Sequence, residues 1–397
     1  MPSLLMVASA PVIVKGDRVI LDVKFAEGME AQTAAWDGPL DCILWEGATQ
    51  IPFPVEVDRH SLPWGLSTLP AGAALPPGTG QTHDLIAAAG DMSETLDLAA
   101  SGRTPVVYSV EYTHKTRLDI LALDRGIGPL RRLRRRLWLE RQEKRRRSAF
   151  RAAAALQSNG YPCAAAYAEL NPDLHLYLDN RMTLDRYATA EEQDSRRARL
   201  QGGGPLRLVY SGRLDPMKGA QDLVPIAARL AARGIAFHLD IFGDGILRSE
   251  MASAIVANGL TDHVRLHGNV DFASELVPWQ RRTADLFLSC HRQGDPSCTY
   301  IESMGCGLPI AGYGNEMWGP LCRASQGGWC VEVGDIDALA AKIAHTSRAE
   351  IAKSADSAIT FARAHDFQAE FKGRMAHLMT VATRGSVDGA RARTSGQ

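Results

Sequence analysis

From about residue 206 onward the apolar positions fall into two rhythms. Short apolar runs at 206–211, 237–242, 264–267, 286–289 and 309–312 have the length and composition of buried strands. Between them the spacing is helical. Residues 221–233 place Leu223, Ile226, Ala227 and Leu230 on one face, a second helix is expected to reach Asn258, and another to cover 336–344. Strand, helix, strand repeated in this way predicts a parallel, doubly wound sheet, whose ligand crevice lies outside the carboxyl ends of its strands.

The first half is less regular. Runs at 4–8, 42–44, 85–88, 105–109 and 174–178 suit strands of an open sheet, but none is followed by a diagnostic loop. Residues 49–81 are rich in proline and glycine (Pro52, Pro54, Pro63, Pro70, Pro76, Pro77, Gly78, Gly80) and are expected to be a long loop, a mobile edge of the domain. The opening apolar stretch 2–11 has no basic residue ahead of it, so it reads as a first buried strand rather than a signal peptide. No run approaches the roughly 18 apolar residues of a spanning helix, which leads us to expect a cytoplasmic protein.

A chain of 397 residues, 45% hydrophobic and 22% charged, is long enough for two globular domains. Its net charge of −1 conceals one concentrated segment. Residues 125–151 hold eleven arginines and Lys144 against Glu140 and Glu143, a local charge of +10. Leu130, Leu133 and Leu137 recur there at helical spacing, with Trp138 beside them and Phe150 further on. Such a basic amphipathic helix suits an anionic membrane surface, each Lys or Arg adding about 1 kcal/mol near the lipid. The plainer alternative is a surface helix whose leucine face packs on its own domain while the arginines are solvated. Nucleic acid is disfavoured, because no stacking aromatics interleave the basic run and no binding module surrounds it. The seven cysteines (42, 163, 290, 298, 306, 322, 330) show no Cys-x-x-Cys pair or zinc-like spacing and are read as reduced, mostly core thiols. Cys298 either lines a ligand pocket or packs as a small residue.

The chemistry gathers after the strands. In 295–309 an Asp295-Pro296 pair has the form of an N-cap followed by proline at the first helical position. A helix mouth there would attract an anion, and Glu302, about two turns further in, suggests the ribose hydroxyls of a nucleotide. Three other loops follow strand ends: Gly212 through Lys218, Gly243-Asp244-Gly245, and Gly268-Asn269. No Walker Gly-x-x-x-x-Gly-Lys-Ser/Thr is present, and no Gly-x-Gly-x-x-Gly opens a helix after a first strand. Arg213 and Lys218 instead fit a clamp on a diphosphate, one by a forked guanidinium and the other as a point charge.

Glu302-Ser-Met-Gly-Cys-Gly-Leu-Pro309, the segment Gly312-Tyr-Gly-Asn-Glu316 and the upstream Gly212-Arg213 and Lys218-Gly219 resemble the retaining, nucleotide-sugar-dependent glycosyltransferases of family 4 over roughly 205–345. The resemblance implies a GT-B type α/β fold, two Rossmann-like doubly wound domains facing a central cleft. Residues 1–195 would bind the acceptor and 205–360 the nucleotide sugar. A final helix, 361–384, would cross back to the first domain, ahead of a disordered tail at 385–397. The resemblance assigns Arg213 and Lys218 to the donor pyrophosphate and Glu302 to the ribose. It gives the amides of Ser297 and Cys298, ahead of Thr299, to the phosphate, and Asn269 and Val270 to the base. It implies a nucleotide-diphosphate sugar as donor, a glycan or lipid-linked acceptor, retention of configuration, and neither metal nor cofactor.

Two positions depart from that family. Its first glutamate falls on Gly294, with Asp295 one residue late, so Asp295 either supplies the missing carboxylate or serves only as an N-cap. After the apolar run 106–110 the chain has Glu111 and then His114, and either suits the acceptor side. A nucleotide-sugar epimerase of the same fold and a non-catalytic membrane-bound scaffold are the alternatives. The expected location is the cytoplasm, at the inner face of the plasma membrane if the basic segment binds lipid.

Overall fold

The computed structural model describes residues 1–51, 53–124 and 126–394, with side chains as far as 384. It divides into two units: 1–114, 129–177 and 368–394 form the first, and 115–128 with 178–367 form the second.

The second unit is built on six strands, β10 (Leu206–Ser211), β11 (Phe237–Phe242), β12 (Val264–Gly268), β13 (Leu286–Ser289), β14 (Ile310–Tyr313) and β15 (Gly328–Val331). They are all parallel, in the order β12-β11-β10-β13-β14-β15, with Leu208 paired to both Leu239 and Leu286. The helix Leu223–Ala232 presents Leu223, Ile226, Ala227 and Leu230, all fully buried, as their spacing predicts. Its expected first residues form a separate 3-10 turn, Ala220–Asp222. Each large aliphatic side chain buried here contributes about 1.5–3 kcal/mol. β15 escaped sequence analysis because Gly-Trp-Cys-Val carries no extended apolar run.

One buried cation organises the far side of this sheet. Arg196, 2% exposed, donates to the carbonyls of Ala284 (2.9 Å), Gly307 (2.7 Å), Cys306 (2.9 Å), Arg281 (2.8 Å) and Gln280 (3.3 Å). Burial pulls its guanidinium down to about 10. Cys306 closes the helix Thr299–Gly305, so the guanidinium sits where the dipole and the orphan carbonyls favour positive charge.

Among the described residues the first unit has nine strands: β1 (Leu4–Lys15), β2 (Arg18–Asp22), β3 (Leu40–Trp45), β4 (Pro54–Asp58), β5 (Gly65–Leu69), β6 (Leu85–Ala89), β7 (Val106–Val110), β8 (Ala155–Asn159) and β9 (Leu174–Tyr177). The beginning of β1 lies between β3 and β6, and β5 to β9 make a parallel sheet around it. The end of β1 turns into an antiparallel ribbon with β2 and β4, so the expected strand 4–8 is more than twice as long. Residues 49–81, expected as a loop, contain β4 and β5, with Pro54 at the first position of its strand, where a missing N–H is tolerated. Pro52 lies outside the described residues. β8 was missed because Gln157, Ser158 and Asn159 are polar, yet all three are buried, and Gln157 donates to the Arg374 carbonyl at 2.9 Å.

The last helix, Phe367–Thr394, puts Met375, Leu378, Val381 and Ala382 into a core with Leu4, Met29 and Val107. Its backbone runs helically through most of the expected tail 385–397. Residues 395–397 lie outside the described residues.

The basic segment is the helix Pro129–Ala152, while Arg125 is outside the described residues. One face is anchored through Leu139, Glu143, Arg146, Ala149 and Phe150. Arg146, 1% exposed, reaches the Gly90 carbonyl (3.1 Å), Glu143 (3.0 Å), Tyr167 (3.0 Å), Asp91 (3.0 Å) and the Tyr112 carbonyl (2.8 Å). The opposite face is apolar and open: Leu130, Leu133, Leu137 and Trp138 are 62%, 54%, 52% and 48% exposed. The leucine stripe is therefore not packed on its own unit, and Phe150, expected with it, belongs to the anchored face. No described helix is long and apolar enough to cross a membrane.

Candidate active site

The loops after β10, β11, β12 and β13 converge on one rim of the second unit, at the carboxyl ends of its strands. They are joined through their backbones. Gly212 N donates to Phe242 O at 3.0 Å, Gly243 N to Gly268 O at 2.7 Å, and Leu214 N to Asp244 O at 2.9 Å. Two of the glycines are required by this crowding. Gly243 has φ 120°, and a Cβ there would lie 2.0 Å from Gly212 O; Gly219 has φ 67°, and its Cβ would lie 1.7 Å from Cys290 O. The second contact draws the preceding turn, Pro216–Lys218, over the end of β13.

That turn delivers Lys218. Its ammonium bonds to Asp295 Oδ2, and both side chains are only 10% exposed. Burial alone would raise the Asp295 carboxyl, but Lys218 and then His291 hold it below the usual carboxylate range. Asp295 Oδ1 is buried without a hydrogen-bond partner, with His291 Nδ1 3.8 Å away. His291 is 1% exposed, and burial, with the Lys218 charge nearby, pushes its imidazole down to about 3, so it is neutral. Asn315 Nδ2 donates to the His291 carbonyl at 2.9 Å, and the Tyr300 hydroxyl lies 3.4 Å from His291 Nδ1.

This geometry removes one of the two roles considered for Asp295, that of N-cap. The following helix begins at Thr299, its N-cap position is Cys298, and no side chain caps it. Asp295 is therefore not the N-cap, Pro296 is not the first helical residue, and the carboxylate turns to Lys218 instead. The helix is only seven residues long. Ser297 N already donates to Asp295 O at 2.8 Å, which closes one amide of the expected phosphate cradle. Ser297 Oγ lies 3.2 Å from Thr299 Oγ1, and Cys298 Sγ lies 3.6 Å from Asp179 Oδ2. Glu302 is half-buried one turn into this helix.

Arg213 differs from Lys218 in its surroundings. Its side chain is 64% exposed, with Nη1 3.3 Å from Asp215 Oδ2 and Nη2 3.4 Å from Met217 Sδ. Asp244 is exposed and accepts from Gly245 N at 2.7 Å; Asn269 is exposed and Val270 half-buried. Glu111 and His114 belong to the first unit, beyond β7. Glu111 N donates to Asp91 Oδ2 at 2.7 Å, and His114 Nε2 lies 3.2 Å from Glu140 Oε2 on the basic helix. Sequence analysis missed His291 and Lys115, and it quoted Asn315 and Glu316 within the segment 312–316 without giving either a role; nothing in their spacing showed that they meet.

The family described as "Glycosyl transferases group 1" matches residues 205–348. The chain is 30% identical over 175 residues to the "Putative colanic acid biosynthesis glycosyltransferase WcaL" of Salmonella typhimurium, 42% of each chain. It is 29% identical over 136 residues to the 2-deoxystreptamine glucosyltransferase of Streptomyces kanamyceticus, 34% of this chain and 32% of that one. The matched stretches thus span less than half the length of these curated relatives. The Anabaena protein HepE, solved with UDP, superposes with a TM-score of 0.66 at 15% identity, covering 96% of this chain and 100% of that one, a likeness of fold. Residues 205–348 are accordingly similar to the glycosyl transferases group 1 family, and the chain as a whole has the GT-B fold.

Proposed function

We propose that this chain transfers a glycosyl group from a nucleotide-diphosphate sugar to a hydroxyl of a glycan or lipid-linked acceptor, in the assembly of a cell-surface polysaccharide or glycolipid. The observation that carries this is Lys218, a buried ammonium held by Asp295 on the loop-crowded rim of the group 1 domain. HepE has been solved with UDP-glucose, and the Salmonella relative is named for colanic acid biosynthesis. When the glycosidic bond to the diphosphate breaks, negative charge accumulates on the leaving oxygens. Lys218 and Arg213 neutralise it, with Glu302 on the ribose, so no step is assigned to a metal. The leaving diphosphate takes the acceptor's proton, and attack on the same face retains configuration. Asn269 and Val270 pass the base, and Glu111 or His114 of the first unit serves the acceptor.

Thermal shift against a panel of UDP- and GDP-sugars, followed by transfer assays with lipid-linked and free glycans, tests this function. A selected donor should raise the melting temperature in proportion to the logarithm of its concentration. Isomerised sugar released without acceptor would make the chain an epimerase, and no donor binding would leave a scaffold.

The exposed stripe of Leu130, Leu133, Leu137 and Trp138, interleaved with exposed Arg134 and Arg141, favours docking to an anionic membrane, at the cytoplasmic face where a lipid-linked acceptor is met. Co-sedimentation with liposomes that is indifferent to anionic lipid would remove the membrane from this account.

A further inference from the structure

Gly294, the residue before Asp295, has no side chain, but the space beside it is taken. A Cβ built on Gly294 would lie 2.8 Å from both Cβ and Oε2 of Glu316, and all three of its nearest neighbours belong to that one residue. Glu316 comes from the loop after β14, and its position is set by its neighbour. Asn315, 3% exposed, donates to the His291 carbonyl at 2.9 Å and accepts from Met317 N at 2.9 Å and Trp318 N at 2.8 Å. The turn carrying Glu316 is thereby fastened to the strand end that leads into Asp295. Its other oxygen, Oε1, takes Lys115 Nζ at 2.8 Å, and Lys115 also holds Asp119 at 2.7 Å. The Gly294 backbone is held from the same segment, its carbonyl accepting from Thr116 Oγ1 at 3.2 Å. The Glu316 side chain is fixed by these contacts yet 43% exposed.

We propose that Glu316, placed over Gly294, is the carboxylate that binds hydroxyls of the donor sugar in this site. The assignment rests on the transferase function proposed above. A carboxylate repels a diphosphate but accepts two hydrogen bonds from neighbouring sugar hydroxyls, so beside the Lys218 cation it discriminates the sugar end of the donor from the phosphate end. Burial would raise the Glu316 carboxyl, but the Lys115 ammonium holds it below the ordinary range, which keeps it an acceptor at neutral pH. Lys115 is then a positioning residue, acting through Glu316.

The test compares free nucleotide with sugar nucleotide, using UDP and GDP against UDP-glucose, UDP-N-acetylglucosamine and GDP-mannose. In Glu316→Gln, affinity for the free nucleotide should stay within twofold of wild type, while affinity for the preferred sugar nucleotide and kcat/KM should each fall at least tenfold. Because the three atoms nearest a Cβ at 294 all belong to Glu316, Gly294→Glu should be impaired by itself, and Gly294→Glu combined with Glu316→Gly should regain at least part of the sugar-dependent affinity. Unchanged sugar-nucleotide binding and turnover in Glu316→Gln would overturn the proposal, and so would an equal loss of free and sugar nucleotide, which marks a merely structural role. Should wild type bind none of the five probes, the transferase function fails and the role of Glu316 fails with it. Wild-type donor binding with an indifferent Glu316→Gln sinks the Glu316 assignment alone.

Discussion

The Lys218 ammonium and the Asp295 carboxylate form an ion pair in which neither side chain is more than 10% exposed. Two charges buried together are costly to separate, since removing one leaves the other in a poor solvent for it. Asp295→Asn should therefore lower stability by about 3 kcal/mol, and the double variant Lys218→Met, Asp295→Asn should recover most of that loss. Urea melts of wild type, both single variants and the double variant check it; additive losses would show that the pair is not coupled.

His291 gives the fold a pH dependence. Its imidazole, buried beside Tyr300 and next to the Lys218–Asp295 pair, is pushed down to about 3, whereas an unfolded histidine titrates near 6.5. Below about pH 6.5 the unfolded chain binds a proton that the folded chain refuses, so stability falls as pH falls. Between pH 7 and pH 5 this one group should cost about 2 kcal/mol. His291→Gln should show a correspondingly smaller loss between those pH values. Asp295 contributes in another window: its carboxyl is lowered, so the stability it provides is present above the ordinary carboxylate range and is lost only as pH falls through its own lower value.

Arg196 ties the exit of the Glu302 helix to the strand before the site, with the carbonyls of Cys306, Gly307 and Ala284 on one guanidinium. Arg196→Met keeps much of the volume but strands those carbonyls, and each buried unsatisfied acceptor costs about 1–3 kcal/mol. The variant should unfold at least 3 kcal/mol more easily in urea than wild type. Arg134→Met, on the exposed face of the basic helix, should change stability by no more than about 0.5 kcal/mol.

The basic helix has one anchored face and one open face. Replacing Leu133, Leu137 and Trp138 by serine leaves the anchored face with Arg146 and Phe150 untouched. Binding to liposomes containing phosphatidylglycerol should weaken by at least tenfold, with the melting temperature within about 2 °C of wild type, since exposed positions carry little stability. Unchanged lipid binding would assign the attraction to charge alone.

Much of the second unit was legible in the sequence, because its strands are continuous apolar runs and its helices keep a 3.6-residue period, as Leu223, Ile226, Ala227 and Leu230 show. The first unit was less so. β8 is built from buried Gln157, Ser158 and Asn159, whose polar groups are satisfied by distant residues, and no local pattern reveals that. In the site, Lys218 and Asp295 were each singled out, but their pairing joins positions 77 residues apart and was hidden behind the cap-like Asp-Pro pair. His291 was missed, and Glu316 was quoted without a role, for the same reason: their meaning comes from what packs against them. The leucine stripe at 130–137 was visible as a periodicity, but only the burial of the opposite face shows that it is left open.

Calorimetric titration of wild type and Lys218→Ala with UDP-glucose, UDP-N-acetylglucosamine and GDP-mannose tests the central claim most directly. Wild type should bind at least one of these donors, and Lys218→Ala, still folded by circular dichroism, should bind it at least about thirtyfold more weakly, consistent with the loss of a charge-assisted contact worth about 2 kcal/mol. Equal affinities in the two proteins, or no binding of any donor by wild type, would contradict the account.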